Sequence, residues 1–226
     1  MRFRTLLATV LGAVVLGLAT PAQADTGRDE ILVLEQLARE RAEDPDAQFD
    51  LAMGYARTPV LEKAIEALER VQALDKAYAD KVIARFEPIA QENPENVEAH
   101  WRLAFAYYAK GRETATPAHV ARARQAFEDI LKLDSRHVWA YNYLAYITYE
   151  GGDLPGALDL ARRAVEVGPD NAVAHFLVGQ ALLKQGQPFA AAFSLAKAMQ
   201  LRSAAGYGLP LPARPNAEQQ SANPAP

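Results

Sequence analysis

The chain has 226 residues, half of them hydrophobic, with 24 basic against 28 acidic residues and a net charge of −4. That apolar share can fill one core or an elongated array and excludes an intrinsically disordered chain, while the acidic balance argues against a nucleic-acid groove and against docking on anionic lipid. Cysteine is absent, which rules out disulfides, a lipid-modified cysteine and thiol catalysis.

Residues 1–24, MRFRTLLATVLGAVVLGLATPAQA, join Arg2 and Arg4 to an apolar run from Leu6 to Leu18 and end in Ala22-Gln23-Ala24. This is the layout of a cleaved secretory signal, whereas a retained anchor needs about 20 apolar residues. Cleavage after Ala24 is therefore expected, leaving a mature chain that starts at Asp25 and is periplasmic or secreted, with no stable membrane insertion. Two basic residues leave with the leader, so 22 basic residues face 28 acidic ones and the balance becomes −6.

The region 25–96 reads as a capping helix followed by irregular repeat helices. From Asp29 to Ala42, Ile31, Leu34 and Leu37 fall on one side with Glu or Arg opposite, a helix suited to cap an array. Ala47 to Leu74 holds Leu51, Ala52, Tyr55, Ala64 and Leu68 at repeat-like spacing. Ala77 to Glu92 ends like a second helix, with Phe86, Ile89 and Pro94 correctly spaced, but a strict register would put Arg70 at the helix crossing.

Downstream the pattern is regular. At an offset of 34, the stretch from Val138 to Asn171 aligns with the stretch that begins at Ala172, so Gly179 falls on Ala145; the unit from Val97 places Ala104 there. Glycine costs about 0.5–1 kcal/mol relative to alanine inside a helix, so its presence at Gly179 implies two helices crossing too closely for a side chain. Ala123, Ala157 and Ala191 repeat the device on the second helix of each unit. The first unit spans 41 residues, because 138 minus 97 is 41, and the seven extra residues enter near Arg112 to His119. There Thr116 fits an N-cap with Pro117 at the first helical position, and the extension reads as an exposed loop.

These units, 97–137, 138–171 and 172–202, resemble the tetratricopeptide repeat family, whose pattern runs W-x-x-L-G-x-x-Y, then A-x-x-x-F, then a terminal proline. Tyr141, Leu144, Ala145, Ala157, Ala164 and Pro169 stand at those points in the middle unit. The resemblance implies an all-α fold, a right-handed α-solenoid of antiparallel helix pairs with about three clear repeats after irregular N-terminal helices. Residues 203–226, rich in proline, form the expected disordered tail.

In such a family the first helices line a concave groove. Carried over residue by residue, that surface holds Trp101, Phe105 and Tyr108 in the first unit, Trp139, Asn142, Tyr146 and Tyr149 in the second, and Phe176 and Gln180 in the third. Aromatic side chains are common anchors of binding surfaces, so these nine residues form the candidate partner site. The basic cluster that grips a peptide carboxylate is replaced by Trp101, Phe105, Val173 and Phe176.

No catalytic constellation emerges. His100, His119, His137 and His175 lack the short spacings of metal sites, SLAK at Ser194 to Lys197 lacks its companion motifs, and GGD at Gly151 to Asp153 follows no strand. The expectation is a non-enzyme without cofactor, a scaffold that binds a protein or peptide of the cell envelope. Glycan binding in polysaccharide export or cell-wall assembly is one alternative. Another is an accessory role in cytochrome c maturation, from a likeness of the TPAHVARARQAFEDILKLDS region to periplasmic repeat subunits of that pathway, any haem belonging to the partner.

Overall fold

The computed structural model describes residues 23–114 and 116–207. Among them lie ten helices and no strand: α1 (Gln23–Glu40), α2 (Pro45–Tyr55), α3 (Leu61–Leu74), α4 (Tyr78–Glu92), α5 (Val97–Thr114), α6 (Pro117–Leu133), α7 (Val138–Glu150), α8 (Leu154–Val167), α9 (Ala172–Lys184) and α10 (Pro188–Ala204). The leader, apart from Gln23 and Ala24, lies outside the described residues, as does the tail from 208 onward. No described helix is long and apolar enough to cross a membrane.

Pairs α5 and α6, α7 and α8, and α9 and α10 pack as antiparallel hairpins, and α6 on α7 and α8 on α9 join each hairpin to the next. The result is an all-α solenoid. Local chemistry fixes its starts: His137 accepts from the Ala140 amide, Asp153 from Gly156 and Asn171 from Ala174, each capping a helix whose first amides have no partner within it. The Gly179 prediction is met by geometry. A Cβ there would stand 2.6 Å from Leu195 Cγ and 3.3 Å from the Ala191 carbonyl oxygen, so the close crossing of α9 and α10 leaves no room for one.

The seven extra residues of the first unit do not make a loop. They lengthen both helices, α5 to 18 residues against 13 in α7 and α6 to 17 against 14 in α8. Pro117 opens α6 with Thr116 extended before it, but the threonine hydroxyl makes no cap bond to α6 and turns back to the Thr114 carbonyl.

Upstream, α4 precedes and packs on α5 as α6 does on α7. Helix α3 pairs with α2 and not with α4, so the register that would make α3 the first helix of a pair fails at Arg70. Its Ala64, Ala67 and Val71 join the core that holds Trp101, Phe105 and Tyr108. Helix α1 caps the array by seating Leu34 and Ile31 over Gly54, where a Cβ would lie 2.5 Å from Leu34 Cδ1. Tyr55, Glu35 and Lys63 hydrogen bond across the same junction.

The two ends of the array meet. Arg202 near the end of α10 donates to the Pro59 carbonyl and pairs with Glu62 of α3. Gly206, at φ +77°, ends the helix in the left-handed conformation that glycine takes without strain, and Tyr207 then packs on the N-terminal core cluster. Helix α10 runs through Ala204, one residue past the boundary expected at 203, and the described residues continue to Tyr207.

Candidate functional site

The aromatic stripe of α5 is core. Trp101 is 1% exposed, Phe105 0% and Tyr108 5%, although their spacing puts them on the face that would line a groove. Tyr143 of α7 wedges edge-on against all three, at ring distances of 5.7, 6.1 and 5.0 Å, and Arg57 stands over the Trp101 ring at 5.7 Å. Ala56 and Val60 of the connection into α3, with Ala64, Ala67 and Val71 of α3, belong to the same buried cluster. Burial pushes the Tyr108 hydroxyl up to about 12. These three residues are thus corrected from partner contacts to packing residues.

The groove stays open farther along. A cavity of about 200 Å³ is walled by Trp139, Asn142, Tyr143 and Tyr146 from α7, Val173, Phe176 and Leu177 from α9, Ala198, Met199 and Arg202 from α10, and Ala56, Thr58, Pro59, Leu61 and Glu62 around the start of α3. Phe176 is 45% exposed and Met199 44%. Trp139 and Tyr146 are half-buried. Four of the nine sequence candidates therefore come together here, Trp139, Asn142, Tyr146 and Phe176. Tyr149 and Gln180 are half-buried outside the lining, and Lys184 Nζ sits 4.2 Å from the Tyr149 ring centre.

Asn142 is a buried polar element of the wall, and it is not exposed as its groove position implies but 2% accessible. Its orientation follows from the α9 cap. Because Asn171 Oδ1 accepts from the Ala174 amide at 2.8 Å, that atom is the oxygen, and Asn142 must present its Nδ2 to it, at 3.0 Å. Asn142 Oδ1 is left buried with no donor from a described residue, an unusual state for a polar atom beside an apolar cavity. At the opposite wall, burial would raise the Glu62 carboxyl, but the hydrogen bond and charge of Arg202 outweigh it and hold it below the usual range.

Sequence reasoning missed the wall contributed by Ala56 to Glu62, Met199 and Arg202. Repeat register assigns residues to the face of one hairpin and carries no information about the array's two ends meeting. Arg202 left a faint sign, as one of only two basic residues in an otherwise uncharged α10.

The histidines have structural partners. His100 Nε2 lies 3.0 Å from the Pro94 carbonyl oxygen and His175 Nε2 2.8 Å from that of Pro169, the same bond in two repeats, which tethers each first helix to the turn before it. Ser194 donates to the Ala190 carbonyl of its own helix. Among the described residues no group of three or more His, Cys, Asp or Glu side chains could hold a metal ion.

Residues 118–172 and 149–207 match the family model described as tetratricopeptide repeat. No curated protein matches the sequence. Among solved structures, the chain is similar to MamA, at 16% identity over 84% of this chain and 99% of that one with a TM-score of 0.43. It is also similar to MamA residues 41 to the end from Desulfovibrio magneticus RS-1, at 16% identity over 79% and 87% with a TM-score of 0.42. A thermophilic TPR protein of Thermus thermophilus aligns at 16% identity over 80% and 90% with a TM-score of 0.48.

Proposed function

We infer, from the premise that this chain is a tetratricopeptide repeat protein, that it is a non-catalytic scaffold holding a short segment of a partner protein in the cavity between α7, α9 and α10. The observation that carries the reading is the wall itself, where Trp139, Tyr146, Phe176 and Met199 gather around one opening. Apolar and aromatic surface of this kind gains most when a bulky side chain displaces water from it. The buried Asn142 Oδ1 favours a segment that also brings an N–H or O–H donor. The leader-like N-terminus supports a partner in the cell envelope, with the mature chain acting outside the cytoplasm.

The test pairs capture with affinity. A photoreactive residue in place of Phe176 is expected to crosslink one envelope protein, and Trp139→Ala with Phe176→Ala to weaken its binding by about 2 kcal/mol or more, roughly 30-fold, with helical circular dichroism intact. Tyr146 is left alone because its ring contacts the buried Tyr108 at 6.4 Å. Unchanged affinity in the double variant overturns the cavity assignment; binding of a glycan fragment in place of a protein overturns the partner class.

A further inference from the structure

The terminal helix breaks the rule that governs the ends of repeat arrays, which need a polar outer face to stay soluble. On α10, Phe189 is 93% exposed and Phe193 80%, and Ala192 and Ala196 are exposed beside them. Positions 189, 192, 193 and 196 fall at i, i+3, i+4 and i+7, which is one continuous stripe on a helix. The repeat alignment that matches Ala191 with Ala157 places Pro155 and Asp159 at the points held by Phe189 and Phe193, and Asp159 is exposed and paired with Arg163. One repeat earlier the same four points hold Pro155, Leu158, Asp159 and Arg162, so that face carries two exposed charged residues where the end carries none. Leu158, the counterpart of Ala192, is covered by α9 residues of the next repeat, whereas no further repeat stacks on α10 among the described residues.

We propose that this stripe is a homodimer interface in which α10 packs antiparallel against α10 of a second copy, through Phe189, Ala192, Phe193 and Ala196. The order of residues is the argument for a second copy. About a twofold axis between positions 192 and 193, Phe189 faces Ala196 of the other chain and Phe193 faces Ala192, so every large side chain meets a small one. A self-complementary surface is what a twofold dimer requires. The stripe is also neutral: the only charged residues of α10 are Lys197 and Arg202, and Arg202 is engaged with Pro59 and Glu62. On a chain of net charge −4, two copies thus approach through a face with no like charges to oppose each other.

The rings supply about half of the area a stable interface needs, and the surface flanking the stripe must supply the rest. Each phenylalanine buries about 150–250 Å² when enclosed, so four rings supply about 600–1,000 Å² of the roughly 1,200–2,000 Å² that stable interfaces cover. The stripe lies apart from the cavity, none of its four residues lining it, so each dimer would present two partner sites.

The experiment is sedimentation equilibrium of the full chain as its own cells process it, across about 1–100 μM, where mass action separates monomer from dimer. The wild type is expected at twice the protomer mass, and Phe189→Glu with Phe193→Glu at the protomer mass with unchanged circular dichroism. Ala196→Glu, at an exposed position with little packing of its own, is a second variant expected to raise the dimer dissociation constant at least about 100-fold by setting a carboxylate against Phe189 of the second copy. Because the chain has no cysteine, a Phe189→Cys protein mixed with an Ala196→Cys protein reads the register: a mixed disulfide supports the antiparallel arrangement, and crosslinks confined to 189 with 189 overturn it. A wild type that stays monomeric at every concentration, or a dimer indifferent to Phe189→Glu with Phe193→Glu, overturns the interface.

Discussion

At the α9 and α10 crossing, volume is distributed between two residues. Gly179 faces Leu195, and the preceding repeat meets the same need with Ala145 and Ala161, both at most 1% exposed. Gly179→Ala gains about 1 kcal/mol in helix propensity, but its Cβ would stand 2.6 Å from Leu195 Cγ, and overpacking of that kind costs about 1–3 kcal/mol. The single change should lower the melting temperature. Adding Leu195→Ala rebuilds the alanine pair of the earlier repeat, so the double variant should be less damaged than the sum of the singles, a coupling of about 1 kcal/mol or more. Strict additivity in a denaturant-based cycle would refute the shared-volume account. This feature was legible in the sequence because glycine inside an amphipathic helix demands a packing reason. Trp101, Phe105 and Tyr108 were not, since a groove position is exposed only if nothing else lies across it.

At the scale of elements, the sequence displayed what repeats and concealed what interrupts. The hairpins from 97 onward carry their caps and small residues at fixed offsets, and so were readable. The pairing of α2 with α3 was legible in the repeat-like spacing of Ala52, Ala64 and Leu68, and the register failure at Arg70 marked α4 as the helix outside the hairpin pairs. One cap joins an element to pH. His137 Nδ1 accepts from the Ala140 amide at 3.1 Å, a bond that only the unprotonated nitrogen can make. Burial holds its imidazole below the usual range; Asp134 opposes this and Arg57 adds to it. With the folded value depressed below the unfolded one, near 6.5, the stability is fully present above that pH. As pH falls below it, the unfolded chain takes up the proton first and stability declines until the folded value is passed. The melting temperature should therefore drop between about pH 7 and pH 5, and His137→Asn, which caps without titrating, should flatten that part of the curve. An unchanged slope in the variant would remove the cap from the explanation.

For the molecule as a whole, closure of the array on itself decides where a partner can enter. Arg202 is 13% exposed at its side chain and holds the Pro59 carbonyl and Glu62, while Tyr207 packs on the N-terminal cluster. Both contacts join segments far apart in the sequence, so neither can be read from a repeat pattern, and Arg202 with Pro59 and Glu62 forms part of the cavity wall. If they hold the ring shut, two truncations should differ sharply. A chain ending at Tyr207 should melt as the full chain does, whereas one ending at Gly206 should melt several degrees lower, because it loses an aromatic contact worth about 1–3 kcal/mol. Arg202→Ala should speed hydrogen exchange in the 56–62 connection without disturbing α7 or α8, as expected for local opening at a seam in place of global unfolding. Equal melting of the two truncations, together with unaltered exchange at 56–62, would mean that the curvature arises within the hairpins alone and that the seam contributes nothing to the shape of the cavity.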